Sequence, residues 1–174
     1  MLKKSLLLVG ISGAGKSTVG RLLAEELGVA FVDLDDRVEQ EAGMSVGAIF
    51  DKLGQSRFRD LETKVLSEAL DAHPPLVIAT GGGAMERTQN QEKARDHGVL
   101  VWLEVSPEMA AARCHQGNDR PLLRDGDAVK TLNQLLVNRT VGYQEARIVV
   151  QTDGRTPEGV VSHIVDALAK GRGQ

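Results

Sequence analysis

Short runs of consecutive apolar residues are separated along this chain by longer segments in which apolar residues recur at helical spacing. The runs lie at residues 6–9, 30–32, 76–79, 99–103 and 148–150. Runs of this length without polar alternation are typical of strands that are buried on both faces. The pattern therefore predicts five buried strands.

The longer segments predict amphipathic helices. Helices are expected from about residue 17 to Gly28, from residue 56 to about 72, from Ser106-Pro107 onward, and from residue 157 to about 169. The clearest apolar face belongs to the second of these and consists of Phe58, Leu61, Val65, Leu66, Ala69 and Leu70. Strands alternating with helices predict an α/β three-layer sandwich, a parallel sheet with helices on both faces. Ligands bind such sheets beyond the carboxyl ends of the strands, so we expect functional residues directly after residues 9, 32, 80 and 104.

Length and composition narrow the class of protein. A chain of 174 residues suffices for one α/β domain, and its net charge of −3 gives no reason to expect a nucleic-acid or membrane partner. The single cysteine, Cys114, excludes a disulfide framework and a cysteine metal site. Lys3-Lys4 and the apolar run after them superficially resemble a secretory signal, but that run is short and leads directly into a glycine-rich loop. We therefore expect a cytoplasmic protein.

The glycine-rich loop after the first predicted strand carries the strongest chemical signal. Residues 10–17 read Gly-Ile-Ser-Gly-Ala-Gly-Lys-Ser, which matches the phosphate-loop pattern G-x-x-x-x-G-K-[ST] between a strand and a helix. In such loops backbone N–H groups surround phosphate oxygens at a helix N-terminus. Lys16 would contact the β- and γ-phosphates, and the Ser17 hydroxyl would ligate Mg²⁺. The pattern predicts binding of a nucleoside triphosphate.

Acidic residues follow the second predicted strand. If the strand continued through Asp33 and Asp35, its alternation would place both carboxylates on one side, near the phosphate loop. One could hold a Mg²⁺ water, and the other could accept a hydrogen bond or proton from a substrate hydroxyl. Asp36 is instead expected to cap a helix that begins near it.

Two further features suggest a binding cleft. Arg59 and Glu62 are spaced to pair on one helix, either as an exposed ion pair or with Glu62 orienting Arg59 toward a bound carboxylate. Sequence spacing alone leaves both possibilities open. Gly81, Gly82 and Gly83 directly follow the third strand, and an ordered glycine triplet indicates close approach of the backbone to another group.

Five motifs together occur in the order and spacing of one known family. They are the phosphate loop continued as Thr18-Val19-Gly20, Asp33-Leu34-Asp35, Phe58-Arg59-Asp60-Leu61-Glu62, the glycine triplet, and Arg120-Pro121-Leu122-Leu123. On these motifs the chain resembles the shikimate kinase family over nearly its whole length. The resemblance implies one kinase domain over residues 1–174 and a five-stranded parallel sheet of order 2-3-1-4-5. It also implies a substrate-binding region at about residues 34–62 and a mobile lid at about 113–126.

The resemblance further implies a reaction, the transfer of the ATP γ-phosphate to the 3-hydroxyl of shikimate, with ATP and Mg²⁺ as cofactors. It implies that Ser17 ligates Mg²⁺ and that Asp33 contacts the ion through water. Asp35 would bind the ring hydroxyls, as a base or as an orienting group, and Arg59 and Arg139 would bind the shikimate carboxylate. The backbone of Gly81, Gly82 and Gly83 would also contact the substrate. We expect a monomer acting on a small molecule.

The remaining implied residues contact the nucleotide. Its phosphates would lie against the loop residues Gly13, Ala14, Gly15, Lys16, Ser17 and Thr18. Arg120 matches a lid arginine that, with Lys16, would neutralise charge on the transferred phosphoryl group. Arg113 matches a residue that lies against adenine, and Arg155 is a looser candidate for the same contact.

One position departs from the family pattern. The family usually reads R-x-P-x-Y near the fifth strand, whereas here Val141 stands where proline is expected, between Arg139 and Tyr143. Proline restricts the backbone, so its absence is expected to free the segment that carries Arg139. We predict that Val141→Pro changes KM for shikimate more than kcat.

Other functions share part of this pattern. A gluconate or nucleoside monophosphate kinase would have the same fold and loop, but the glycine triplet and residues 58–62 favour shikimate. A GTPase would need a D-x-x-G after a strand and an N-K-x-D motif. Residues 51–54 fit only the first of these, at a helix end. A catalytically silent binding module is disfavoured because Lys16, Ser17, Asp35 and Arg120 are all present.

Overall fold

The computed structural model of the chain describes residues 2–114 and 127–170. The strands are β1 (Ser5–Val9), β2 (Phe31–Asp33), β3 (Val77–Ala79), β4 (Gly98–Glu104) and β5 (Ile148–Gln151). The helices are α1 (Lys16–Leu27), α2 (Leu34–Ala42), α3 (Val46–Leu70), α4 (Thr88–His97), α5 (Pro107–Cys114), α6 (Ala128–Tyr143) and α7 (Pro157–Lys170). A single 3₁₀ turn, Ala84–Glu86, lies between β3 and α4.

All five strands are parallel and lie in one sheet of order β2-β3-β1-β4-β5. The predicted fold class and strand order are therefore confirmed. β1 occupies the centre, and every one of its five residues is buried, as its unbroken apolar run predicts. In register, Val9 of β1 lies beside Trp102 of β4, and Asp33 of β2 lies beside Ala79 of β3. The ends of β1, β2 and β3 consequently open onto a single edge of the sheet.

Helix α3 is longer than the sequence predicts and is interrupted. It begins at Val46, ten residues before the predicted start at Ser56, and Ser45 caps it by accepting from the Ala48 N–H. Gly54 adopts φ 81° and ψ 167° inside it, so two helical pieces meet at this residue. The predicted apolar face from Phe58 to Leu70 is buried throughout. Residues 56–70 therefore pack as expected, and the earlier piece is the short helix whose end the sequence placed at residues 51–54.

Helix α6 was not singled out from the sequence. Asp127 caps it, since its carboxylate accepts from the backbone N–H groups of Val129 and Lys130. The helix buries Leu132 and presents Arg139 and Tyr143 to the interior. It thus places two polar side chains beneath the glycine triplet. Among the described residues, no helix is both long and apolar enough to cross a bilayer.

Candidate active site

The phosphate loop connects β1 to α1 at the centre of the sheet edge. Gly13 and Gly15 have φ of 82° and 89°, a left-handed conformation that glycine adopts without strain. Gly15 is the N-cap of α1 and supplies no side-chain cap. No side chain at the residue before α1 caps the first N–H groups of this helix. Helix N-termini that bind phosphate share this feature, because their N–H groups are available to the anion. The Lys16 ammonium group lies back across the loop and donates to the carbonyls of Gly10 and Ile11, at 2.8 and 3.1 Å.

Ser17 and Asp33 meet beside this loop. The Ser17 hydroxyl donates to Asp33 Oδ2 at 2.5 Å, and Asp33 Oδ1 accepts from the Asp35 N–H at 3.1 Å. Oxygen donors next to a phosphate site are what Mg²⁺ requires, since it usually takes one or two carboxylates and completes its shell with water and phosphate. Within residues 2–114 and 127–170 there is no cluster of three or more His, Cys, Asp or Glu that could hold a metal. The pair fits a magnesium ion that is shared with bound phosphates.

The acids after β2 are arranged differently from the prediction. Helix α2 begins at Leu34 and its N-cap is Asp33, so Asp35 is in the first helical turn rather than on a strand. The argument from strand alternation and the assignment of Asp36 as the cap were both wrong. The helix starts early because the Asp33 carboxylate satisfies the Asp35 N–H. Asp36 also lies in the first turn, where burial, and next the nearby charge of Asp33, raise its pKa.

Arg59 and Glu62 form a buried ion pair, which excludes the exposed pair that was one of the two possibilities left open by the sequence. Their side chains are 8% and 1% exposed, and Arg59 Nη1 lies 2.7 Å from Glu62 Oε2. Burial raises the pKa of Glu62, although the adjacent Arg59 opposes this shift. Arg59 Nε and Glu62 Oε1 are buried without a hydrogen-bond partner among the described residues. The pair thus presents one donor and one acceptor that a ligand could satisfy.

Arg139 approaches the same place from α6. Its side chain is 3% exposed, and its Nε donates to Glu86 Oε1 at 2.6 Å. The same carboxylate oxygen lies 3.8 Å from Arg59 Nη2. Glu86 therefore links the two guanidinium groups, which come from α3 and α6.

The glycine triplet forms the floor between these groups. A Cβ at Gly83 would overlap the Arg59 guanidinium, and one at Gly81 would overlap the Glu62 carboxylate. At Gly82 a Cβ would lie 3.0 Å from Arg139 Nη1. A side chain at Gly81 or Gly83 would force a charged group to move, and one at Gly82 would be tightly placed, so the backbone lies directly against both arginines. This agrees with the close approach that the sequence predicts.

The carboxylate of Asp35 borders the same floor. A Cβ at Gly81 would be 3.2 Å from Asp35 Oδ1. At Gly82 the Cβ would lie 3.6 Å from both the Gly10 carbonyl oxygen and the Ser12 nitrogen of the phosphate loop. The triplet therefore connects the acidic and basic side chains to the phosphate loop. The predicted residues Asp35, Arg59 and Arg139 are brought together beside the phosphate loop.

Tyr143 fixes the triplet from below and was not predicted as a site residue. Its side chain is 1% exposed, and its hydroxyl donates to the Gly82 carbonyl. Its ring packs against Trp102 of β4, with ring centroids 5.7 Å apart. Burial raises the pKa of the Tyr143 hydroxyl far above its ordinary value, so the group remains a neutral donor.

A cavity of about 260 Å³ lies against the phosphate loop. Its lining includes Ala14, Gly15, Thr18, Arg113, Thr152 and Arg155. The guanidinium of Arg113 donates to the Gly13 carbonyl at 3.3 Å, to the Thr152 hydroxyl at 3.2 Å and to the Thr152 carbonyl at 3.1 Å. Both arginines predicted to contact adenine are thus brought to one cavity at the phosphate loop.

Arg120, the predicted lid arginine, lies outside the described residues, as does most of the predicted lid segment. Val141 is in the last turn of α6 and is 73% exposed. The backbone around Arg139 is therefore constrained by a helix even without proline, contrary to the expectation that it would be free. The predicted effect of Val141→Pro on KM stays a prediction.

Glu86, Tyr143 and Thr152 are the site residues that sequence reasoning missed. Tyr143 carried a signal, because it stands at a fixed spacing from Arg139 in the family pattern. Thr152 directly follows β5. Functional residues were expected after each of the other four strands, but not after this one. Glu86 carried none, since its partner Arg139 is 53 residues away.

Comparison with known proteins places this geometry in one family. Residues 12–169 match the family described as shikimate kinase. The chain is 45% identical to a shikimate kinase from Pseudomonas fluorescens (strain Pf0-1) over 168 residues, which are 96% of this chain and 97% of the relative. It is 38% identical to a shikimate kinase from Persephonella marina over 95% of this chain and 99% of that one.

Solved structures agree with the sequence comparison. A shikimate kinase from Acinetobacter baumannii in complex with shikimate superposes with a TM-score of 0.92 at 35% identity, covering 97% of this chain and 94% of that one. A gluconokinase from Sinorhizobium meliloti 1021 shares the fold alone, with a TM-score of 0.64 at 20% identity over 96% of this chain and 92% of that chain. The chain belongs to the shikimate kinase family.

Proposed function

We propose that this protein transfers the γ-phosphate of ATP to the 3-hydroxyl of shikimate, giving shikimate 3-phosphate and ADP. The observation that carries the proposal is the pairing of two buried arginines on a glycine floor beside a phosphate loop. This arrangement occurs in a chain of the shikimate kinase family. Shikimate offers a carboxylate and ring hydroxyls, which complement guanidinium groups and an aspartate.

At the acceptor end, Arg59 and Arg139 bind the carboxylate, and Asp35 accepts a hydrogen bond from the reacting hydroxyl. The backbone of Gly81, Gly82 and Gly83 supports the ring. Phosphoryl transfer through a loose transition state needs little proton removal before bonding, so positioning is the main task of Asp35. The buried Arg59–Glu62 pair supports this assignment, because a guanidinium held by a neighbour keeps a fixed orientation toward the ligand.

At the nucleotide end, the phosphates lie on the backbone of residues 13–18, and Lys16 moves from the loop carbonyls to the β- and γ-phosphates. Arg113 and Arg155 contact the adenine in the cavity of about 260 Å³. Ser17 and Asp33 hold Mg²⁺, which neutralises phosphate charge when it is bound. Lys16 and Arg120 stabilise the negative charge on the transferred group.

Two longer segments of the chain also have roles in the proposed reaction. Residues of about 34–62 bind the acceptor, and residues of about 113–126 close over the nucleotide and exclude water within a single kinase domain of residues 1–174. The protein acts as a cytoplasmic monomer on a small molecule, without nucleic-acid or membrane partners.

A coupled assay of ADP release tests the reaction. Mg·ATP is supplied with shikimate, gluconate, AMP, CMP or no acceptor, and stimulation by shikimate alone is expected. Arg139→Leu should remove shikimate-dependent turnover, whereas Arg147→Leu, a charge change at the start of β5, should leave it intact. Equal stimulation by gluconate, or none by shikimate, would reject the acceptor assignment.

Arg120→Ala tests the lid assignment. Because the arginine is assigned to the transferred phosphoryl group, kcat should fall far more than ATP affinity. Steady-state kinetics with shikimate and calorimetric titration with ATP separate the two quantities. A near-normal kcat would exclude Arg120 from the transition state.

A further inference from the structure

Glu86 is an unexpected negative group inside the proposed carboxylate site. It ends the 3₁₀ turn that follows the glycine triplet. A single oxygen, Oε1, accepts from Arg139 Nε at 2.6 Å and lies 3.8 Å from Arg59 Nη2. A carboxylate of this chain therefore already contacts both guanidinium groups that are assigned to the carboxylate of the acceptor.

The acids already present in the site make the binding of another anion less favourable. Two guanidinium groups, on Arg59 and Arg139, pair with the carboxyl groups of Glu62 and Glu86. The Asp35 carboxylate borders the same glycine triplet, and an acceptor carboxylate would add a further acid to this group. Like charges at such short range oppose one another in a partly desolvated site. Binding becomes more favourable if one of the chain's own acids leaves.

Of these three acids, Glu86 is the one suited to leave. Glu62 is 1% exposed and enclosed by α3 and the triplet, and Asp35 is fixed in the first turn of α2. The Glu86 side chain is 33% exposed and extends from a single 3₁₀ turn. A rotation about its side-chain bonds would return the carboxylate to water, where its charge is solvated. The arginines remain in place, since Arg59 keeps its bond to Glu62 and Arg139 is buried on α6.

We propose that Glu86 occupies the carboxylate site in the absence of acceptor and exchanges with the acceptor carboxylate on Arg59 and Arg139. In the empty site Glu86 compensates two buried positive charges. On binding, the acceptor carboxylate replaces it, and the free energy of that displacement weakens acceptor binding. Glu86 thus sets KM for the acceptor rather than the rate of phosphoryl transfer. The inference rests on the proposed function, because it takes a carboxylate-bearing acceptor as the ligand.

Glu86→Gln tests the exchange directly. Glutamine keeps the shape of the side chain and can still accept from Arg139 Nε, but it removes the competing charge. We expect KM for shikimate to fall about threefold to tenfold, the range expected when a partly exposed charged pair no longer competes. The values of kcat and KM for ATP should stay within about twofold. Glu92→Gln is the matched control, since Glu92 is an exposed acid on α4 and its loss changes the net charge equally.

Uncharged shikimate methyl ester provides a second readout, which a structural effect of the mutation would not mimic. Its affinity, measured by calorimetric titration without nucleotide, should be unchanged by Glu86→Gln, whereas that of shikimate increases. A higher or unchanged KM for shikimate in an active Glu86→Gln enzyme would overturn the exchange and make Glu86 a support for Arg139. Absence of shikimate turnover in the unmodified protein would instead overturn the proposed function together with this inference.

Discussion

Removal of one hydroxyl, by Tyr143→Phe, tests how the glycine floor is held. The Tyr143 side chain is 1% exposed, and its hydroxyl donates to the carbonyl of Gly82, the central residue of the triplet. Phenylalanine keeps the ring that packs on Trp102, so the change deletes the hydrogen bond and little else. The Gly82 carbonyl then loses a donor in a site with little access to water.

The expected magnitude follows from this geometry. Loss of the donor to a buried acceptor lowers the free energy of unfolding by about 1–3 kcal/mol. We expect the lower half of that range, because Gly82 itself is only partly buried. A loss of about 1–2 kcal/mol would lower the melting temperature of a chain of this size by about 3–6 °C. The triplet also supports the acceptor, so KM for shikimate should rise about twofold to fivefold while kcat changes less.

The pH dependence of the same variant has a defined sign. Burial raises the pKa of Tyr143 in the folded protein above its value of about 10 in the unfolded chain. The hydroxyl therefore contributes its full stability below about pH 10, and that contribution is lost as pH rises toward the folded pKa. The difference in stability between the unmodified protein and Tyr143→Phe should be constant from pH 6 to about 9 and should shrink above about pH 10.

Urea denaturation followed by the fluorescence of Trp102, the single tryptophan, measures the stability, and the ADP-release assay measures KM. Ser162→Ala is the control, because its hydroxyl lies on the exposed face of α7 and donates to the Glu158 carbonyl, far along the chain from the triplet. We expect the control to stay within about 0.5 kcal/mol of the unmodified protein. If Tyr143→Phe matched the control in both stability and KM, the hydroxyl would have no role in holding Gly82.

Four further substitutions in the site, with one control in α7, separate roles that lie close together. Ser17→Ala should lower activity about 10- to 100-fold at limiting Mg²⁺ with unchanged stability, whereas Asp33→Ala should also cost about 1 kcal/mol of stability, since it removes the α2 cap. Equal stability of the two variants in urea would contradict this. Gly83→Ala should raise KM for shikimate about tenfold or more, because its Cβ would displace a guanidinium, while Gly159→Ala in α7 has room and should stabilise the fold by about 0.5–1 kcal/mol. Similar stability and kinetics in both would show that the triplet tolerates a side chain. Arg113→Gln should raise KM for ATP about tenfold and leave KM for shikimate unchanged, and an equal rise in both would assign Arg113 to general folding.

The elements that sequence predicted well are those whose signal is local. The unbroken apolar run of β1 and the apolar face from Phe58 to Leu70 depend on residues within one element, and both are buried as expected. The phosphate loop carries its signal in eight consecutive residues. The strand order came from the resemblance of the five motifs to one family, since periodicity alone does not distinguish strand orders.

The prediction errors arose where one short sequence pattern is compatible with two local structures. Asp33-Leu34-Asp35 fits either the end of a strand or the cap and first turn of a helix, and the strand reading led to a false argument about side-chain alternation. Here the Asp33 cap decides the outcome, because it satisfies a helix N–H that a longer strand would leave to another partner.

The acids of the site were harder to predict from the sequence than its arginines. Arg59 was noticed from its spacing to Glu62, whereas Arg139 was implied only by the resemblance to the family. Glu62 was considered only because it is three residues from Arg59, and Glu86 was not considered because its contacts cross from the triplet to α6. Yet a buried guanidinium needs a carboxylate whether or not a ligand is bound, since an unpaired buried charge is costly. It follows that a site built to bind an anion with buried arginines should contain acids of its own. The acids that are least buried, such as Glu86, are then the ones through which acceptor affinity can be altered without changing the catalytic groups.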